Sequence, residues 1–234
     1  MNRRLISIMF LLLFKVNLLF AVSDSGYSEE FASLKSGQTI TIKTLIEHLN
    51  DMEKPVSILD FLKTLPRPFK LPASTSIYSL QPSDGPDSPR FFLFFGSLIM
   101  ALVPTGAGSN SIELAFQVSE TQSVKGEINF PVISDLASDD PYKEILSNLP
   151  TVSYCSGCHK NERAMRRLSS LPPAALRSDI LAPAPDTVLT TESLKKLREN
   201  CLGSDSIRCS VIKELLQPRW TLARFPPKAS FLSF

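Results

Sequence analysis

Phe91-Phe-Leu-Phe-Phe95 and Leu98-Ile-Met-Ala-Leu-Val103 are two short apolar runs joined by Gly96-Ser97. Two such runs either side of a two-residue Gly-containing turn predict a β-hairpin. Residues 91–104 are too few to cross a membrane as a helix, and Gly96 splits them. After a turn over 104–110 comes Ile112-Glu-Leu-Ala-Phe-Gln-Val118, which alternates, with Ile112, Leu114, Phe116 and Val118 on one face. Val124-Lys-Gly-Glu-Ile-Asn-Phe130 follows, with Ile128 and Phe130 in step. Four consecutive strands with short connections predict an antiparallel meander.

Helical patterns flank the meander. Ile42, Leu45, Ile46 and Leu49 share one face of a helix over 41–52 that Pro55 ends. Ser57-Ile-Leu-Asp60 resembles a capping box and starts a short helix to about residue 65. Pro66, Pro68 and Pro72 then impose extended chain, and 82–89 reads as a loop. Downstream, short helices are expected over 142–149 and 160–171, the latter exposing Arg163, Arg166 and Arg167. A Pro-rich linker occupies 172–187. Helices over 191–202 and 207–217 complete the pattern, with Gly203 and Pro218 as stop signals. The class expected is α+β: a small antiparallel β-meander with flanking helices.

The N-terminus carries an export signature. Asn2-Arg3-Arg4 is a positive start, residues 5–14 form an apolar run broken only by Ser7, and Ala21-Val22-Ser23 offers small residues for a cut after Ser23. Retention as an anchor would place Lys15 near the middle of the apolar stretch, at a cost of about 2.5–3.5 kcal/mol, so cleavage is preferred. No stable membrane span is then expected in the mature chain. Removing 1–23 also removes Arg3, Arg4 and Lys15 from 25 basic residues, while all 23 acidic ones remain. The mature chain is near neutral and gives no sign of a nucleic-acid footprint, so no nucleic-acid partner is expected. With 234 residues, 43% of them hydrophobic, the chain is neither disordered nor fibrous. Two His residues cannot build a three-His zinc enzyme or a multihaem conduit.

Cys155-Ser-Gly-Cys158-His159 carries the chemistry. Cys-x-x-Cys-His is the attachment signature for c-type haem. Two intervening residues let one helical turn present both sulfurs to a porphyrin edge, and the next residue offers an imidazole to iron. Cys155 and Cys158 are thus expected to anchor one covalent haem c, with His159 as the metal ligand. Three other readings compete. A thioredoxin-type pair would need a βαβ frame, which is not legible here. A zinc site would draw on Cys201 or Cys209, whose spacing is wrong for a zinc ribbon. A disulfide between Cys155 and Cys158 would close a short, awkward loop. Cys201 and Cys209 instead suit a disulfide linking two helices in an exported protein.

A distal iron ligand is harder to place. Met165 is too close along the chain to reach the opposite side of the iron. His48, Met52 and Met100 remain upstream, although Met100 suits a core position and His48 an exposed one. A lysine amine or an open iron are the other options.

Ser76-Ile-Tyr-Ser-Leu-Gln81, Ser88-Pro-Arg-Phe-Phe-Leu-Phe-Phe-Gly96, Leu98-Ile-Met-Ala101, Ile112-Glu113 and Gly126-Glu-Ile-Asn-Phe130, ahead of the Cys-x-x-Cys-His, make residues 40–165 resemble exported bacterial monohaem cytochrome-c-like proteins of uncharacterised role. The resemblance implies haem attachment at Cys155 and Cys158 and axial ligation by His159, and nothing for 172–234. The expected organisation is a signal peptide (1–23), a helical lead-in with the β region (24–133), a C-terminal haem-binding helical segment (134–171), the linker (172–187) and a helical hairpin with tail (188–234). The expected function is a periplasmic c-type monohaem protein passing one electron to an unknown redox partner. It is thus expected to be an electron-transfer protein rather than an enzyme. The alternatives are an open-iron sensor or peroxidase-like enzyme, and a non-haem, disulfide-stabilised interaction module. The terminal Phe231 and Phe234 do not make an outer-membrane barrel, because four strands are too few.

Overall fold

The computed structural model of the protein describes residues 40–148, 152–165, 172 and 174–231. The segment expected to be an export signal, Arg166, Arg167 and Phe234 lie outside them. Nine strands are described: β1 (Ala73–Ser74), β2 (Arg90–Phe95), β3 (Leu98–Leu102), β4 (Ser111–Gln117), β5 (Gln122–Asn129), β6 (Arg163–Ala164), β7 (Leu176–Asp179), β8 (Leu181–Ala182) and β9 (Ser230–Phe231). The helices are α1 (Ile42–Asp51), α2 (Ile58–Thr64), α3 (Asp140–Glu144), α4 (Thr191–Asn200) and α5 (Ile207–Leu215). Seven strands form one antiparallel sheet in the order β1-β2-β3-β4-β5-β7-β6, and β8 and β9 pair in parallel beside it. The class is α+β.

The meander stands where the periodicity puts it. Gly96 takes φ 60° in the turn between β2 and β3, a left-handed conformation that glycine adopts without steric cost. The register then pairs Phe91 with Leu102, Leu93 with Met100, Met100 with Leu114 and Ile112 with Ile128. These side chains share one face. They pack with Leu45 and Leu49 of α1, Phe61 and Leu62 of α2, and Val211, Ile212 and Leu215 of α5 in the main core. Each fully buried Leu or Phe there contributes about 1.5–3 kcal/mol. Gly126 lets α3 close on β5, since a Cβ there would lie 3.2 Å from the Pro141 carbonyl oxygen.

Caps fix the helices. Thr41 and Thr44 form a reciprocal box at the start of α1, and Ser57 Oγ accepts from the Asp60 amide at the start of α2. Cys201 and Cys209 are bonded to each other, both buried, and link α4 to α5. Arg67 pairs with Glu214 and donates to its carbonyl at 2.8 Å, tying the end of α2 to α5.

Three local expectations are corrected. The helix expected over 142–149 is a short α3 that ends at Glu144, where Leu146 bridges to Ser153. The helix expected over 160–171 is not formed in its described part, because Arg163 and Ala164 pair with Arg177 and Leu176. Residues 172–187 do more than link: β7 lies within them and hydrogen-bonds to β5 and β6. In the first two cases bridge or strand pairing outweighs a weak local helical pattern, and in the third it draws a Pro-rich segment into the sheet.

Candidate functional site

The second face of the sheet is also covered. Alternation along the strands puts Phe92, Ile99 and Ala101 there, with Phe94 and Ala115 beside them. Phe225 lies across this face, its ring edge-on to Phe92 and Phe94 at 4.9 and 5.5 Å. Charged residues share the face: Arg90 on β2, Glu113 on β4 and Lys125 on β5. Above them runs the turn that carries Cys155, Cys158 and His159. Between floor and turn lies a cavity of about 110 Å³ with an open mouth. Ile180, Pro183 and Tyr154 complete the walls.

The turn is short and braced. Residues Tyr154–Gly157 form a single 3-10 turn rather than the start of a long helix. Ser153 caps it, its Oγ accepting from the Cys155 amide at 3.1 Å. Glu162 holds Ser153 in turn, accepting from its amide at 2.8 Å and from its hydroxyl. At the other end, Asp179 accepts from Asn161 Nδ2 at 2.8 Å, and its amide donates to the Lys160 carbonyl at 3.0 Å. Asn161 takes a left-handed φ of 58°, which this Asp179 contact stabilises.

All three residues of the sequence motif therefore face one cavity. His159 Nδ1 lies 2.7 Å from the Asp179 carbonyl oxygen. A carbonyl only accepts, so Nδ1 carries the hydrogen and the lone pair sits on Nε2. No described residue engages Nε2. Burial, with the cations of Lys125 and Arg90, pushes the imidazole down to about 3, so it is neutral at physiological pH. Burial pushes the Cys155 thiol up to about 11, with the Glu113 carboxylate adding to the effect. Cys155 and Cys158 are both free thiols. A raised thiol in front of an antiparallel sheet is unlike the acidic thiol of a thioredoxin-type pair.

The floor is polar where it meets the turn. Arg90 pairs with Glu113 and donates to Ser79 Oγ. Its Nε is buried with no partner among the described residues. Lys125 is only 5% exposed and donates to Ser123 Oγ at 2.7 Å. Burial pulls its ammonium down to about 8 despite the nearby Cys155 and Glu113.

The other proposed ligands lie elsewhere. Met100 is fully buried on the helix-facing side of the sheet, and Met165 and Met52 belong to the same core. His48 is buried rather than exposed, its ring near Phe61 and its Nε2 2.6 Å from Thr64 Oγ. Arg163 is exposed on β6. Among the described residues no three His, Cys, Asp or Glu side chains are grouped to share a metal ion. Nor is any described helix long and apolar enough to cross a membrane.

Sequence reasoning reached the motif but missed Arg90, Glu113, Lys125, Asp179 and Phe225. A signal existed for the floor. Phe92, Phe94 and Ile99 are apolar at the alternate positions of the hairpin, and a second apolar face needs a cover. No protein-family model matches this chain, and no curated protein or solved structure matches it either.

Proposed function

We propose that the protein is an exported c-type monohaem protein that transfers single electrons. The observation that carries this reading is the joint placement of two reduced thiols and a neutral imidazole on the wall of one cavity, with the imidazole already oriented by the Asp179 carbonyl. Hydrogen-bonding the far ring nitrogen to a carbonyl is how proteins fix a metal-ligating histidine.

The residues present fit the group. Phe92, Phe225 and Ile99 offer apolar surface, and Arg90 lines the same cavity as a cation for a propionate carboxylate. Cys155 and Cys158 would each add across a vinyl C=C. Sulfur bonds to one carbon, the thiol hydrogen goes to its neighbour, and no oxidant is consumed. His159 Nε2 would then donate to iron. The bound haem supplies the one-electron iron couple. The chain supplies the rest: Ser153 and Glu162 hold the turn, and the sheet excludes water from one side. Tyr78, Leu80 and Tyr154 are exposed at the cavity and give a partner an apolar approach.

The test is covalent haem. The chain is expressed with its leader in a host carrying a c-type maturation system, then run on a denaturing gel and stained for haem. A stained band that disappears in Cys155→Ala/Cys158→Ala supports the reading. A folded, soluble, unstained protein overturns it.

A further inference from the structure

We infer that the amine of Lys125 is the sixth ligand, the group that meets the iron from the side opposite His159. The inference rests on the haem reading above and deepens it. The usual distal donors are on the wrong side of the sheet. Met52, Met100 and Met165 belong to the helix-facing core, and His48 packs against Phe61 of that core. None lines the cavity. A strand cannot turn one residue to its other face without slipping the whole register.

Of the nitrogen and sulfur donors on the floor, Arg90 is tied to Glu113 and Ser79 and cannot give up a proton in a protein. Lys125 remains. It stands on β5 paired with Ala115, in the rung that continues through Ile99 to Phe94. The side chain lines the same cavity as Cys155, Cys158 and His159. Its Nζ makes one hydrogen bond, to Ser123, and no salt bridge among the described residues, although a buried ammonium ordinarily needs a paired anion. On ligation Nζ releases one proton to solvent and gives its lone pair to the metal, removing that buried charge without any redox change.

The experiment uses the full chain matured with haem, read by absorption and electron paramagnetic resonance spectra. The wild type should be six-coordinate and low-spin in the ferric state, and should refuse added carbon monoxide in the ferrous state. Lys125→Arg keeps a cation but cannot ligate. It should keep the covalent haem stain, lose the low-spin signal and bind carbon monoxide. If Lys125 only paired a propionate, the arginine variant would keep the wild-type spectrum. Should that variant not accumulate, Lys125→Leu retains the apolar stem and serves as the same test, with its folding checked by circular dichroism. A high-spin wild type, or a low-spin variant, overturns Lys125 as ligand while leaving covalent haem intact. Absence of stain in the wild type instead overturns the haem reading itself.

Discussion

His48 makes the helical layer sensitive to acid, and the effect can be worked out in advance. Its ring is 3% exposed, and burial pushes its pKa from 6.5 down to about 4, against a smaller opposing effect of Asp51. The Thr64 hydroxyl already donates to the Phe61 carbonyl at 2.7 Å, so it accepts from His48 Nε2–H, which suits the neutral ring. Between the folded and unfolded values the unfolded chain binds more protons, so stability falls as pH falls. From about pH 7.5 to about pH 5 the loss from this one group is about 2 kcal/mol. Urea unfolding of wild type and His48→Gln at the two pH values measures it. Glutamine keeps a donor for Thr64 and does not titrate. Subtracting its pH dependence cancels the carboxylates common to both proteins. A difference of about 2 kcal/mol in the pH effect is expected. Parallel pH profiles for the two proteins would refute the reasoning.

Other outcomes follow from the same structure. Cys201→Ala/Cys209→Ala removes the link between α4 and α5, across a separation of eight residues, and should cost about 2–3 kcal/mol in denaturant unfolding. Gly126→Val drives a side chain into Pro141, 3.2 Å from where its Cβ would sit, and should lower stability by about 1–3 kcal/mol without altering the thiol count. Leu93→Ala should cost about 2–5 kcal/mol in the same assay, whereas Phe92→Ala, one residue away, should chiefly reduce the yield of stained protein. Ser153→Ala removes the cap of the Cys155 turn and should cost about 1 kcal/mol while lowering the fraction of chains carrying haem.

Much of the sheet was legible because its signal is local. A Gly-Ser turn between two apolar runs and the alternation from Ile112 to Val118 need no distant partner to be read. The apolar face from Ile42 to Leu49 and the cap at Ser57 announced their helices for the same reason. The β6 and β7 strands were not legible, since Arg163 and Leu176 are poor strand signals until β5 offers an edge to pair with. The site divides in the same way. Cys155, Cys158 and His159 are adjacent in sequence and could be read as a unit. Lys125 and Glu113 looked like the solvent-facing half of an alternating strand. Only the chain returning over that face, through Phe225 and the Cys155 turn, makes them interior. The buried position of His48 likewise depends on α2 packing beside α1, which no pattern within α1 reveals.

Because both faces of β2 to β5 are enclosed, the charges on one of them index the strand pairing. A one-residue slip would carry Arg90, Glu113 and Lys125 into the aliphatic layer beneath α1 and α5, and would lift Leu93 and Met100 into their places. Three ionised groups without hydrogen-bond partners in that layer would be prohibitive. Because β2 beyond Arg90 and β3 are apolar on both sides and could otherwise pair in more than one way, these residues act as detents that permit a single alignment.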